Sequence, residues 1–159
     1  MLDMEATKPI LIAYDGSDGA KAAIEVAGRL FPGHRAVVLS VGHSLSAAFP
    51  SSLLAVSGGQ AGTMYEHLEG EAEQQAATVA AEGVAAAEEA GLRATGRSVL
   101  CLGQTWPVIT EVADEIGAAA IIVGSRGLSP IRSALLGSVA NGVLHHTDRP
   151  VLVAPHAKR

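Results

Sequence analysis

A single cysteine, Cys101, stands among the 159 residues of this chain, so no disulfide can form within it. It lies in an apolar stretch, residues 99–102, with no Lys or His flanking it in sequence, and it reads as a packed small hydrophobe rather than a sensor thiol. Basic residues are scarce as well. The 11 Lys and Arg against 16 Asp and Glu leave a formal charge of -5 and no stripe that could track a nucleic-acid backbone, so nucleic acid is not an expected partner. No apolar run approaches the roughly 20 residues of a membrane span. Residues 1–9 carry Asp3 and Glu5 and no apolar core, which is unlike a signal peptide, and a cytoplasmic location is expected. What remains is a chain that is 48% apolar and of a length suited to one domain over residues 1–159.

Along that length, strand and helix signals alternate. Residues 9–14 form a continuous apolar run with β-branched content, as expected of a strand buried on both faces of a parallel sheet. Asp15, Gly16, Ser17 and Asp18 interrupt it, and Ser17 or Asp18 can cap a helix whose apolar positions are Ala20, Ala23, Ile24, Ala27 and Leu30. Pro32 and Gly33 stop that helix, and residues 36–41 make a second strand. Residues 43–63 are a long loop, read equally as a mobile cover over a ligand or a solvated excursion. From about residue 63 to 90 an Ala- and Glu-rich helix carries Leu68, Ala72, Ala76, Val79 and Ala80 on one stripe, and Gly91 ends it. Residues 94–102 are a third strand. Thr105 is expected to cap a helix bearing Val108, Ile109, Val112, Ala113 and Ile116, with Trp106 and Pro107 in its first turn. A fourth strand at residues 118–123, a helix at about 138–146 and a final strand complete an α/β, doubly wound parallel sheet.

The most informative spacing lies at the crossing from the fourth strand to the last helix. Two residues separate Gly124 from Gly127, nine separate Gly127 from Gly137, and Ser138 follows. At such a crossing glycine lets the backbone approach a ligand, and the unpaired N–H groups of a helix start point at an anion. Each residue alone fits a plain turn or cap. Together they bring two backbone approaches and a hydroxyl to one locus, which suits phosphate. No lysine follows the last glycine, so the loop is not a Walker A sequence.

Gly124, Gly127, Gly137 and Ser138 resemble the glycine pattern of the universal stress protein family, in its ATP-binding branch. The opening Ile10, Leu11, Ile12, Ala13, Tyr14, Asp15, Gly16, Ser17 looks like that family's first strand and acidic end, and residues 150–155 like its last strand. The resemblance implies a Rossmann-like sheet of strand order 3-2-1-4-5, with the ligand crevice where Asp15 and Gly124 come together. It implies that Asp15 contacts the nucleoside part of ATP and that Val41 and Val123 pack against adenine, with Ala13 and Val139 as lesser candidates of the same kind. It also implies a homodimer through the last strand, Val151 to Ala154, an apolar edge that needs covering. Asp15 reads otherwise as a turn aspartate. Arg126 either touches phosphate or faces solvent.

The expected function is an ATP-binding regulatory module of the stress response, taking ATP with Mg2+. A phosphate cradle is present, but no catalytic base or P-loop lysine is evident, so no efficient turnover is expected. Two alternatives stand beside it. One is a slow ATPase or self-phosphorylating enzyme using Asp15, Arg126 and Ser138; the other is a nucleotide-free dimeric interaction protein, against which the retained glycines argue. A two-component receiver is excluded, because the third strand ends in Leu102 and Gly103 rather than a phosphorylatable Asp. His145 and His146 read as C-terminal helix caps, and His43 alone does not make a metal site.

Overall fold

The computed structural model describes residues 8–44, 59–126 and 136–155. In chain order the elements are β1 (Ile10–Ala13), α1 (Asp18–Leu30), β2 (Arg35–His43), α2 (Gln60–Glu89), β3 (Arg93–Cys101), α3 (Thr105–Glu115), β4 (Ala120–Gly124), α4 (Ser138–His146) and β5 (Val151–Ala154). The strands form one sheet in the order β3-β2-β1-β4-β5, and every neighbouring pair is parallel. This is the doubly wound order that the resemblance implies, reversing between β1 and β4.

The apolar run of β1 is buried on both sides, and its alternate residues serve different cores. Ile10 and Ile12 pack with Ala23, Ile24 and Ala27 of α1 and Ala87 of α2, while Leu11 packs with Ile109 and Val112 of α3 and Val143 of α4. The sheet is therefore the middle of three layers, with α1 and α2 on one face and α3 and α4 on the other. The α2 residues turned to the sheet are Ala76, Ala80, Gly83 and Ala87. These short side chains let the helix lie close against β2 and β3. Leu68 and Ala72 of the expected stripe are only half-buried.

Ser17 is the N-cap of α1, its Oγ accepting from the Ala20 N–H at 3.2 Å. Leu30, expected on the inward face, is 57% exposed. It ends the helix at the edge of the inward arc, and Phe31 packs on the core in its place. Thr105 is not a cap but the first residue of α3; the N-cap is Gln104, whose Oε1 accepts from Trp106 Nε1 at 2.5 Å. β2 runs two residues beyond the expected end because β3 continues to pair with it as far as His43 and Cys101. The expected loop 43–63 thus yields His43 to β2 and residues 60–63 to α2, while its residues 45–58 lie outside the described residues.

On the α3 and α4 face, the Trp106 indole stacks on the His146 ring with centroids 3.9 Å apart and planes inclined by 19°. Gly142 lies under the indole, where a Cβ would collide with the ring. Arg149 ties the turn before β5 to the end of α3, through Nε to Asp114 Oδ1 at 2.9 Å, and to the turn before β4, through a guanidinium bond to the Ala118 carbonyl. No helix among the described residues is long and apolar enough to cross a membrane.

Candidate functional site

The central strand stops short of its neighbours. The Tyr14 N–H donates to the Leu39 carbonyl at 2.9 Å, which ends the β1 ladder, while β2 and β3 stay paired four residues further. On the other side β4 continues to Gly124. A notch results at the C-terminal edge of the sheet, at the point where strand order reverses. Crevices of this kind are where open α/β sheets bind ligands.

The four residues expected at an adenine ring all lie on one side of the sheet. Ala13, Val41, Val123 and Val139 belong to one apolar cluster on the α3 and α4 side of the sheet. Val123 is buried and the other three are half-buried.

Asp15 follows directly and is exposed. Its Oδ1 accepts from the Ser17 N–H at 3.0 Å, so the carboxylate holds the turn whose hydroxyl then caps α1. The turn role is thus present. An ionised carboxylate has roughly four acceptor sites, and the turn bond engages one of them, leaving capacity at the mouth of the notch. Tyr14, just inside, has its phenol held above the usual tyrosine range, by burial first and then by the negative charges of Glu82 and Asp15.

After β4 the chain crosses toward α4. The Ser125 N–H donates to the Ala154 carbonyl at 2.8 Å, and the Ser125 carbonyl accepts from the Gly137 N–H at 2.8 Å. That second bond closes the crossing and fixes the start of α4 beside the end of β4. Gly137 is the N-cap and Ser138 the first helical residue, with the ladder opening at the Asn141 N–H to the Gly137 carbonyl. The N–H groups of Ser138, Val139 and Ala140 therefore have no acceptor within the helix, and the positive end of its dipole lies with them. Gly124, Gly137, Ser138 and Val139 share this locus. Arg126 is half-buried in the same crossing, and Gly127 lies outside the described residues.

Gly19 is a site residue that the sequence did not announce. A Cβ on it would strike the Arg126 carbonyl, and one on Gly124 would lie 2.6 Å from the Gly19 carbonyl. The first turn of α1 is thereby pressed onto the crossing, and Asp15 comes with it. The available signal was a glycine in a helix, which costs about 1 kcal/mol against alanine and so implies a reason of space.

Elsewhere, His146 Nδ1 lies 2.8 Å from the Gly142 carbonyl at the end of α4, in keeping with a capping role. His43 reaches Cys101 rather than the notch. Among the described residues no group of three or more His, Cys, Asp or Glu side chains is placed to hold a metal ion.

Residues 6–155 match the universal stress protein family. Universal stress protein YxiE of Bacillus subtilis is 28% identical over 150 residues, covering 91% of this chain and 96% of that protein. Universal stress protein G of Escherichia coli O157:H7 is 47% identical over 45 residues, a stretch that covers 28% of this chain and only 31% of that relative's length. Among solved structures, that of MJ0577 superposes with a TM-score of 0.76 at 21% identity, covering 96% of this chain and 98% of that one. The universal stress protein of Archaeoglobus fulgidus in complex with dAMP superposes at 0.60 and 21% identity, covering 92% and 97%. The chain belongs to the universal stress protein family.

Proposed function

We propose that this protein binds an adenine nucleotide, ATP with Mg2+, in the notch between β1 and β4, and acts as a regulatory module of the stress response. The observation that carries the reading is the bond between the Gly137 N–H and the Ser125 carbonyl. It fixes the unpaired N–H groups at the start of α4 beside the end of the sheet's central strands. In this reading the phosphates lie against Gly124, Gly127, Gly137 and Ser138, with Arg126 as a neighbouring cation. The base lies on Ala13, Val41, Val123 and Val139, and Asp15 accepts from the ribose hydroxyls. The dAMP complex of the Archaeoglobus fulgidus relative supports an adenine nucleotide as the ligand class. One domain over residues 1–159, a cytoplasmic location and a homodimer through β5 complete the proposal.

The test is titration calorimetry with ATP, AMP and GTP, with and without Mg2+, joined to mass spectrometry of nucleotide released from the purified protein. Saturable ATP binding that GTP does not match supports the reading, and no heat with any adenine nucleotide overturns it. The slow-enzyme alternative is separated by turnover. Phosphoryl transfer needs a positioned base and metal clamps, so release slower than about 1 per second is expected, against a typical enzyme value of about 10 per second. Faster multiple-turnover release, abolished by Ser138→Ala, would place the protein among enzymes.

A further inference from the structure

Cys101 closes β3 and His43 closes β2, and the parallel register makes them partners across the ladder. Cys101 Sγ lies 3.4 Å from His43 Nδ1 and 3.4 Å from the Gly103 carbonyl oxygen. The thiol is 7% exposed, whereas His43, Leu102 and Gly103 around it are exposed. The sulfur therefore lies just beneath the rim of the sheet, with an imidazole open to solvent on one side. Two ionisable side chains of the adjoining elements have partners of their own. Glu69 of α2 accepts from Ser44 Oγ at 2.5 Å, and Arg97 of β3 meets Glu115 at 2.7 Å. Glu73 of α2 lines a groove with Val99 and Leu100, and the first turn of α3 carries no ionisable residue.

A thiol reacts as its thiolate, and a base within hydrogen-bond reach is the arrangement that produces one on demand. We propose that Cys101 is a site of covalent modification, a thiol activated by His43 for reaction with hydroperoxides. The proton of Sγ turns from the Gly103 carbonyl and passes to Nδ1, and the sulfur attacks one peroxide oxygen. An S–O bond forms as the O–O bond breaks, and the departing hydroxide takes the proton from the imidazolium to become water. Sulfur is oxidised by two electrons to a sulfenic acid and the peroxide is reduced. The chain has no second cysteine to resolve this product. A small thiol must do so, its sulfur forming a mixed disulfide with Cys101 while the sulfenic hydroxyl leaves as water. The site lies at the ends of β2 and β3, two residues beyond Val41, and the step itself uses no nucleotide.

The experiment treats the folded full-length protein with hydrogen peroxide at about pH 7 in the presence of dimedone, and follows the adduct by intact mass. The single thiol gives an unambiguous reading. One adduct on the folded protein is expected, with the rate falling at least about tenfold in both His43→Gln and His43→Ala and staying unchanged in His34→Gln. Native circular dichroism and melting confirm that each variant is folded; His43 is an exposed strand-end residue, so both substitutions are expected to be tolerated. A wild-type protein that forms the adduct only once unfolded overturns the proposal, whatever the variants do. So does an undiminished rate in a folded His43 variant.

Discussion

Gly19 and Gly124 meet backbone to backbone. A Cβ on Gly124 would lie 2.6 Å from both the carbonyl carbon and the carbonyl oxygen of Gly19. Neither atom belongs to a flexible side chain, so relief requires moving α1 away from the end of β4. Gly124→Ala should therefore lose about 1–3 kcal/mol of stability, the usual cost of overpacking. Gly103 has open space around it, and Gly103→Ala should stay within about 0.5 kcal/mol of the wild type. Urea denaturation of the two variants makes the comparison, and coincident midpoints would refute the close approach.

The second prediction concerns the phosphate cradle and rests on glycine spacing, since Gly127 lies outside the described residues. Gly127→Val puts a branched side chain where phosphate oxygens would approach. A loss of about 3 kcal/mol corresponds to roughly a hundredfold weaker ATP binding. Calorimetry giving the same dissociation constant for variant and wild type would remove Gly127 from the site.

The two sheet edges differ in a way that bears on assembly. β3 carries Arg93 and Arg97 along its outer edge region, and charged residues discourage edge pairing. β5 is Val151, Leu152, Val153 and Ala154, with no charge in its four residues. Dimerisation is expected at β5, and Val153→Asp should give monomer or insoluble protein. Sedimentation of the wild type as a monomer at micromolar concentration would count against a β5 dimer.

Tyr14 makes the fold sensitive to alkali. Its phenol titrates above the ordinary value of 10.0 because burial, then Glu82, then Asp15 disfavour the phenolate. A group whose folded pKa is raised contributes stability that is fully present below the unfolded value. That contribution is lost as pH climbs from about 10 through the folded pKa. Wild-type stability should fall more steeply across that window than that of Tyr14→Phe. Ultraviolet titration of Tyr65→Phe, which leaves Tyr14 as the sole phenol, should show an ionisation midpoint above about 10. Identical alkaline melting curves for wild type and Tyr14→Phe would contradict the assignment.

Much of this was legible in the sequence because it is local. The buried run at β1, the Ser17 cap and the limits of α4 follow from residue types within a few positions of one another. What escaped was set by partners far along the chain. β2 extends through Gly42 and His43 only because β3 is there to pair with it, and the sequence cannot display that register. The same register puts His43 beside Cys101 across 58 positions, so a cysteine correctly read as buried, and with no histidine flanking it in sequence, has one as its partner across the ladder. Leu30 misled because its periodicity is right but the helix ends there and Phe31 takes the inward place. Of the candidate site, the glycine spacing announced the crossing, whereas the role of Gly19 depends on the angle at which α1 leaves the sheet.

The contact between Trp106 and His146 makes the protein its own optical probe. The chain has one tryptophan, so all indole emission originates at the junction of α3 and α4. An imidazole stacked at 3.9 Å is positioned to quench that emission, more strongly when it carries a proton. Any event that slides one helix against the other changes the brightness of the unlabelled protein, and α4 is the helix whose start borders the notch. Ligand arrival could then be timed in a stopped-flow instrument with no dye attached and no residue replaced.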